Sequence, residues 1–304
     1  MYSLIKKGIL IIMLITLCPL VSAAENTKTY RQPRATWLEP DSGEILNQHD
    51  FMRELSKKQV VLLGEQHDIA EIHRWQMHTA ALLYAHRPNM VMGFEMFPAS
   101  SQPVLDRWVA GELTTEQFLE AVEWQKVWGF PPEIYLPLFH FCRQNNIRMV
   151  GLNCYRELVT RVGKEGWEAI PEAERDGLTP AAKALPGYAE FLQSMVGDAA
   201  PMGGMGVTER FIRAQQTWDR AFACNIAKAI EANGNDPLVI GIIGQGHLQY
   251  GFGTPYQLND LGITDVAVLL PATEANWDAE KIRNIGDGIF RLDTVEQAAP
   301  RDGR

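Results

Sequence analysis

Five short runs of this chain are apolar at nearly every position, and each is bounded by turn-forming residues. They read "QVVLLG" (59–64), "NMVMGFEMF" (89–97), "IRMVGLN" (147–153), "PLVIGIIG" (237–244) and "ITDVAVLLP" (263–271). A strand with one face in water alternates apolar and polar residues. Without that alternation both faces are buried, as in a parallel sheet covered by helices. Helical spacing fills the intervals at 71–86, 103–111, 134–146 and 208–234, the last closed by Gly234 as a C-cap. Strand and helix in alternation predict an α/β fold, an open and mainly parallel sheet flanked by helices. A final run, "GIFRLD" (288–293), is expected as an edge strand. The connection between the third and fourth core strands is too long for a simple crossover. It is expected to carry a helical insert, approximately 155–207, that caps the strand ends and contains the break "GDAAPMGGMG" (197–206).

The N-terminus follows a different logic. Lys6 and Lys7 precede an apolar run, 8–17, and small residues follow at Ser22, Ala23 and Ala24. This is the form of a secretory signal peptide, 1–24, with cleavage after Ala23 or Ala24. The run falls short of the roughly 20 apolar residues that a membrane span needs. Residues 25–304 are then expected as one α/β domain in an exported, periplasmic protein. Cys18 offers a lipoprotein alternative, although Leu17 stands where such signals carry Gly, Ala or Ser. Cys142, Cys154 and Cys224 each sit among apolar neighbours and read as buried small hydrophobes. The formal net charge of −9 excludes nucleic acid as a partner, because phosphates demand a basic footprint.

Ligands of open parallel sheets bind beyond the carboxyl ends of the strands. The first strand end here brings Glu65 and His67, with His73 in the following helix. The second places Glu95 inside an apolar run, where an unpaired carboxylate is unfavourable. The third ends in Asn153 with Tyr155 and Arg156 beyond it, and the fourth in Gln245, His247 and Tyr250. These side chains are expected to converge on one edge. His49, His78, His86 and His140 read as surface or packing residues. Neither an HExxH helix nor a GxSxG elbow is present.

"LLGEQHDIAEIHRWQ", "GFEMF", "GLNCYRELVTRVGKEG", "AQQTWDRAFACNIAKAI" and "GQGHLQYGFGTPYQL" occur in this order. Together they resemble the successive signatures of the ChaN-like haem-binding proteins of the Tiki superfamily. The resemblance implies a membrane-associated role in haem and iron uptake, with outer-membrane haem-uptake machinery as a partner. It also implies a homodimer enclosing two stacked haems, with iron bound by tyrosine. Tyr155 and Tyr250 are the candidate iron ligands and Tyr135 a third; His247 and His73 are imidazole candidates. Arg156, Arg161 and Arg74 could meet the propionates, and Met195, Met202 and Met205 could form an apolar cover. The wider superfamily, which includes erythromycin-esterase-like hydrolases, supplies an alternative. In that reading Glu65, His67, Glu95 and His247 hold a divalent metal or exchange protons in a hydrolytic reaction.

Overall fold

All residues of β4 (Val60–Glu65) and β7 (Leu238–Gly244) are buried, as continuous apolar runs require of central strands. The computed structural model describes residues 28–196, 207–234 and 236–293. Ahead of β4 lie β1 (Thr29–Arg31), β2 (Trp37–Leu38), β3 (Ile45–Leu46) and α1 (Gln48–Leu55). Helix α2 (Ala70–His86) joins β4 to β5 (Met90–Pro98). Four helices, α3 (Gln102–Val109), α4 (Thr115–Ala121), α5 (Trp124–Val127) and α6 (Leu136–Gln144), lead on to β6 (Arg148–Asn153). Then α7 (Arg156–Glu165), α8 (Tyr188–Val196) and α9 (Glu209–Asn233) precede β7. Helix α10 (Thr254–Asp260) leads to β8 (Val266–Ala272), and β9 (Asn276–Asp278), α11 (Ala279–Ile282) and β10 (Gly288–Arg291) follow.

Eight strands form one sheet in the order β3-β2-β10-β8-β4-β7-β5-β6, while β1 and β9 pair separately. The block from β10 to β6 is parallel throughout. The fold is therefore the expected α/β class, with one correction. Strand β10 is an interior strand, parallel to β8 on one side and antiparallel to β2 on the other. The two-residue β2 and β3 cover that flank and are too short to show in the hydrophobic pattern.

Alternate strand residues serve opposite layers. Val61, Leu63, Met92, Phe94, Ile240 and Ile242 pack against α2, α3 and α6. Val60, Leu62, Val91, Val239 and Ile243 pack against Phe222 and Ile226 of α9 and Leu258 of α10. Each such burial contributes about 1.5–3 kcal/mol, which makes the sheet a rigid base for the groups at its edge. From β4 to β6 the chain crosses the sheet in one direction with its helices on the first face. From β6 to β8 it returns with helices on the second, as right-handed crossovers dictate. Strand β7 thus slots between β4 and β5 and leaves toward the opposite face from both. A crevice opens at such a switch point.

Helix α9 starts at Thr208, whose hydroxyl accepts from the Phe211 N–H, and stops at Gly234, with φ +50°. In the preceding stretch, Leu158, Val159 and Val162 of α7 pack on Ala221 and Cys224 of α9, and Tyr188 and Phe191 of α8 meet Phe252. Cys142, Cys154 and Cys224 are buried free thiols. The signal-like segment, Cys18, Met202 and Met205 lie outside the described residues.

Candidate functional site

Glu65 ends β4 directly beside Gly244, the end of β7. On the other flank, the pairing of β5 with β6 shifts register between Phe94 and Pro98. An irregularity of this kind re-aims a side chain. Here the Glu95 carboxylate accepts the backbone N–H of Gly244, and its own carbonyl accepts from Asn153 Nδ2 at 2.9 Å. A Cβ at Gly244 would lie 3.0 Å from His67 Cε1 and 3.3 Å from Glu95 Oε2. The imidazole and the carboxylate both pack on this bare Cα, which explains the glycine.

Behind His67 sits a buried polar cluster. Glu65 Oε1 lies 2.7 Å from His67 Nδ1 and accepts from Tyr135 Oη at 3.0 Å. Gln76 Nε2 donates to Glu65 Oε2, and His73 Nδ1 is 3.5 Å from the same oxygen. Burial alone would raise the Glu65 pKa. The charge of His73 and the hydrogen bonds from His67 and Tyr135 outweigh it and hold the carboxyl below its ordinary value. Burial opposes the charged form of His67 too, yet the hydrogen bond to Glu65 and the charges of Glu95 and Asp68 raise its pKa to about 9. The ring packs edge-on against Trp128, with centroids 4.8 Å apart, and leans on Phe130.

A second carboxylate–imidazole pair faces it. His247, in the turn after β7, has Nδ1 2.8 Å from Oδ1 of Asp219, a buried residue of α9. Tyr188 Oη donates to Asp219 Oδ2 at 2.7 Å, and Thr254 Oγ1 to Oδ1 at 3.2 Å. Burial lowers the His247 pKa, but Asp219 overrides this and the net shift is upward. Each imidazole therefore gives Nδ1 to a buried carboxylate and keeps Nε2 as its other polar atom.

A cavity of about 810 Å³ opens over these groups. His67, Glu95, His247, Tyr155 and Arg156 line it together with Trp128, Phe130 and Trp218. The expected convergence thus holds for these five, with Glu65 buried behind His67. Other candidates lie elsewhere. His73 is buried, with Nδ1 on Gln76 Oε1 and Nε2 on the His67 carbonyl, so it supports the site from below. Tyr250 does not line the cavity; its hydroxyl donates to the Lys281 carbonyl at 2.7 Å and its ring meets Phe191 and Phe252. Tyr135 is spent on Glu65. Arg161 is paired with Glu174 and Arg74 with Glu71. Arg156 is exposed and has no ion-pair partner among the described residues. Met195 of α8 lies over Gly246, where a Cβ would meet its Cε at 2.4 Å. Among the described residues no group of three or more His, Cys, Asp or Glu is arranged to hold a metal ion, and the divalent-metal set Glu65, His67, Glu95 and His247 is not shown. The carboxylates turn to the Nδ1 atoms and the Gly244 N–H.

Asp219, Tyr188, Trp128 and Trp218 were not apparent from the sequence. Asp219 had one visible signal, a carboxylate three residues before Phe222 and seven before Ile226 in the apolar stripe of α9.

Fold and site together define an α/β protein with a ligand-sized cleft at the carboxyl edge of a parallel sheet. The chain belongs to the family described as haem-binding uptake, Tiki superfamily, ChaN, whose model matches residues 51–258. The structure is similar to that of ChaN of Campylobacter jejuni, described with cofacial haem binding. The TM-score is 0.66 at 18% identity, over 84% of this chain and 95% of that one. At that identity the likeness speaks for the fold. An erythromycin esterase mutant in its open conformation aligns at a TM-score of 0.45 and 12% identity, over 78% of this chain and 76% of that one. Among curated proteins, RETICULATA-RELATED 5 of Arabidopsis thaliana, a chloroplastic protein, is 22% identical over 171 residues. The match takes in 54% of this chain and 23% of that protein's length.

Proposed function

We propose that this chain is an exported haem-binding protein of haem or iron uptake, holding haem in the cleft with Tyr155 as the iron ligand. One observation carries the reading: Tyr155 and Arg156 stand side by side on a cavity of about 810 Å³ whose walls include Trp128, Phe130 and Trp218. An apolar slot with an axial ligand and a cation for the propionates is what haem requires. Of the two tyrosines nearest the predicted strand ends, Tyr155 alone lines this cavity. Its hydroxyl donates to the Glu174 carbonyl, and burial with the charges of Asp176 and Glu174 raises its pKa. A ferric ion would reverse that preference, because a bound cation deprotonates its ligand. His67, with its pKa raised to about 9, is protonated at neutral pH and is a poor iron ligand.

The signal-like N-terminus supports action outside the inner membrane, in solution or anchored through Cys18. The family supports a homodimer around paired haems that exchanges its cargo with outer-membrane uptake machinery. Haemin titration of the mature protein tests the binding. About one haem per chain is expected, with Trp128→Ala and Arg156→Ala both weakening it. Haemin binding indifferent to both substitutions would place the ligand elsewhere.

A second reading has its own support. Two carboxylate-held imidazoles beside a buried Glu95 are suited to proton transfer in hydrolysis, a use that haem binding does not explain. Turnover of ester substrates that is abolished by Glu95→Gln would favour it; haem-free protein inert toward such substrates would not.

A further inference from the structure

His49 lies in the first turn of α1, and His86 is the last residue of α2. Both are exposed, yet their rings meet with centroids 5.5 Å apart and planes tilted by 51°. Helix α2 runs from the carboxyl end of β4 to the amino end of β5. The pair therefore sits at the amino edge of the sheet, away from the cleft.

We propose that His49 and His86 form a two-imidazole site for a divalent transition metal, Cu²⁺ foremost, with water completing the coordination. Metal–nitrogen bonds of about 2.0–2.1 Å put a metal about 3.2 Å from each ring centroid. Two such centroids are about 4.5 Å apart at the 90° angle of the tetragonal geometry that Cu²⁺ prefers, and about 5.2 Å apart at a tetrahedral angle. The observed 5.5 Å is within easy reach of these values for two exposed side chains. Imidazole nitrogen suits copper, nickel and zinc, and the intrinsic affinity order puts copper highest. The carbonyls at the C-terminus of α2 add a negative field that favours a cation. Nearby cationic side chains are directed elsewhere. Arg87 donates to the carbonyls of Ser56 and Lys58 and pairs with Asp236, and Arg53 pairs with Asp50. Two protein ligands make an exchangeable site, not a structural one.

Calorimetric titration of the haem-free chain with Cu²⁺ tests this, read beside its electron paramagnetic resonance spectrum. The expected result is a bound equivalent whose spectrum shows two coordinating nitrogens, with Ni²⁺ and Zn²⁺ binding the same place more weakly. His49→Ala and His86→Ala should each weaken Cu²⁺ by at least the roughly 10–100-fold that even the loss of an outer-shell partner brings. Both positions are exposed, so the variants should melt like the parent chain. Copper binding unchanged in either variant, or no binding at all, overturns the proposal.

Discussion

Glu65 has no exposed side-chain surface, and its charge is tolerable there because His67, His73 and Tyr135 face it. Its depressed pKa means that its contribution to stability is present above the ordinary value of 4.5 and fades as pH falls through the folded value. His67 acts in the opposite direction. Raised from 6.5 to about 9, it contributes fully below 6.5 and loses that contribution as pH rises through about 9. Denaturant melts should therefore show stability falling by about 1–2 kcal/mol between these values, after allowance for screening of a partly exposed ring. In His67→Asn that alkaline loss should shrink to the part owed to His247; an unchanged slope would remove His67 from the account. Glu65, His67, Glu95 and His247 were legible in the sequence because charged or imidazole groups at the ends of apolar runs need a reason to be there. Tyr250 was misplaced for the converse reason. Nearness to a strand end in sequence does not fix direction, and the left-handed turn at Tyr250, φ +57°, carries the ring away.

The cleft depends on how few elements meet at β7. Helix α9 spans one face of the sheet and delivers Asp219 to His247, a contact that no periodicity announces because it joins residues from separate elements. Asp219→Asn keeps the shape and removes the charge, so the His247 titration followed by NMR should move down toward 6.5. A midpoint that stays raised would show that Asp219 does not set it. The register shift of β5 was equally hidden, since it needs β6 as a partner. It brings the Pro98 carbonyl so close to Gly151 that a Cβ there would lie 2.5 Å away. Gly151→Ala should cost about 1–3 kcal/mol of stability by overpacking, and disturb Glu95 with it. A variant as stable as the parent would mean that the two strands separate without penalty. The core strands themselves could be read within a residue or three at each end, because burial on both faces leaves an unbroken apolar run. The short strands β1, β2, β3 and β9 have too few residues to show a period.

At the scale of the whole molecule, the described residues form a mostly parallel sheet with a cleft at its carboxyl edge, and the proposed function adds export directed by the signal-like N-terminus. No helix among the described residues is long and apolar enough to cross a membrane. Terminal sequencing of the exported protein should find Ala24 or Glu25 first; a lipid-modified Cys18 would instead establish an anchor, and an intact Met1 would end the export reading. In the proposed function Tyr155 holds haem iron in the cleft. The most direct measurement of this is the absorption spectrum of the ferric haem complex, taken in parallel for the parent chain, Tyr155→Phe and Tyr250→Phe. Each substitution removes only the phenol oxygen and leaves the ring to pack. The tyrosinate band should be present in the parent and in Tyr250→Phe and absent in Tyr155→Phe. A band that survives in Tyr155→Phe, or vanishes in Tyr250→Phe, would contradict the assignment of Tyr155 as the ligand.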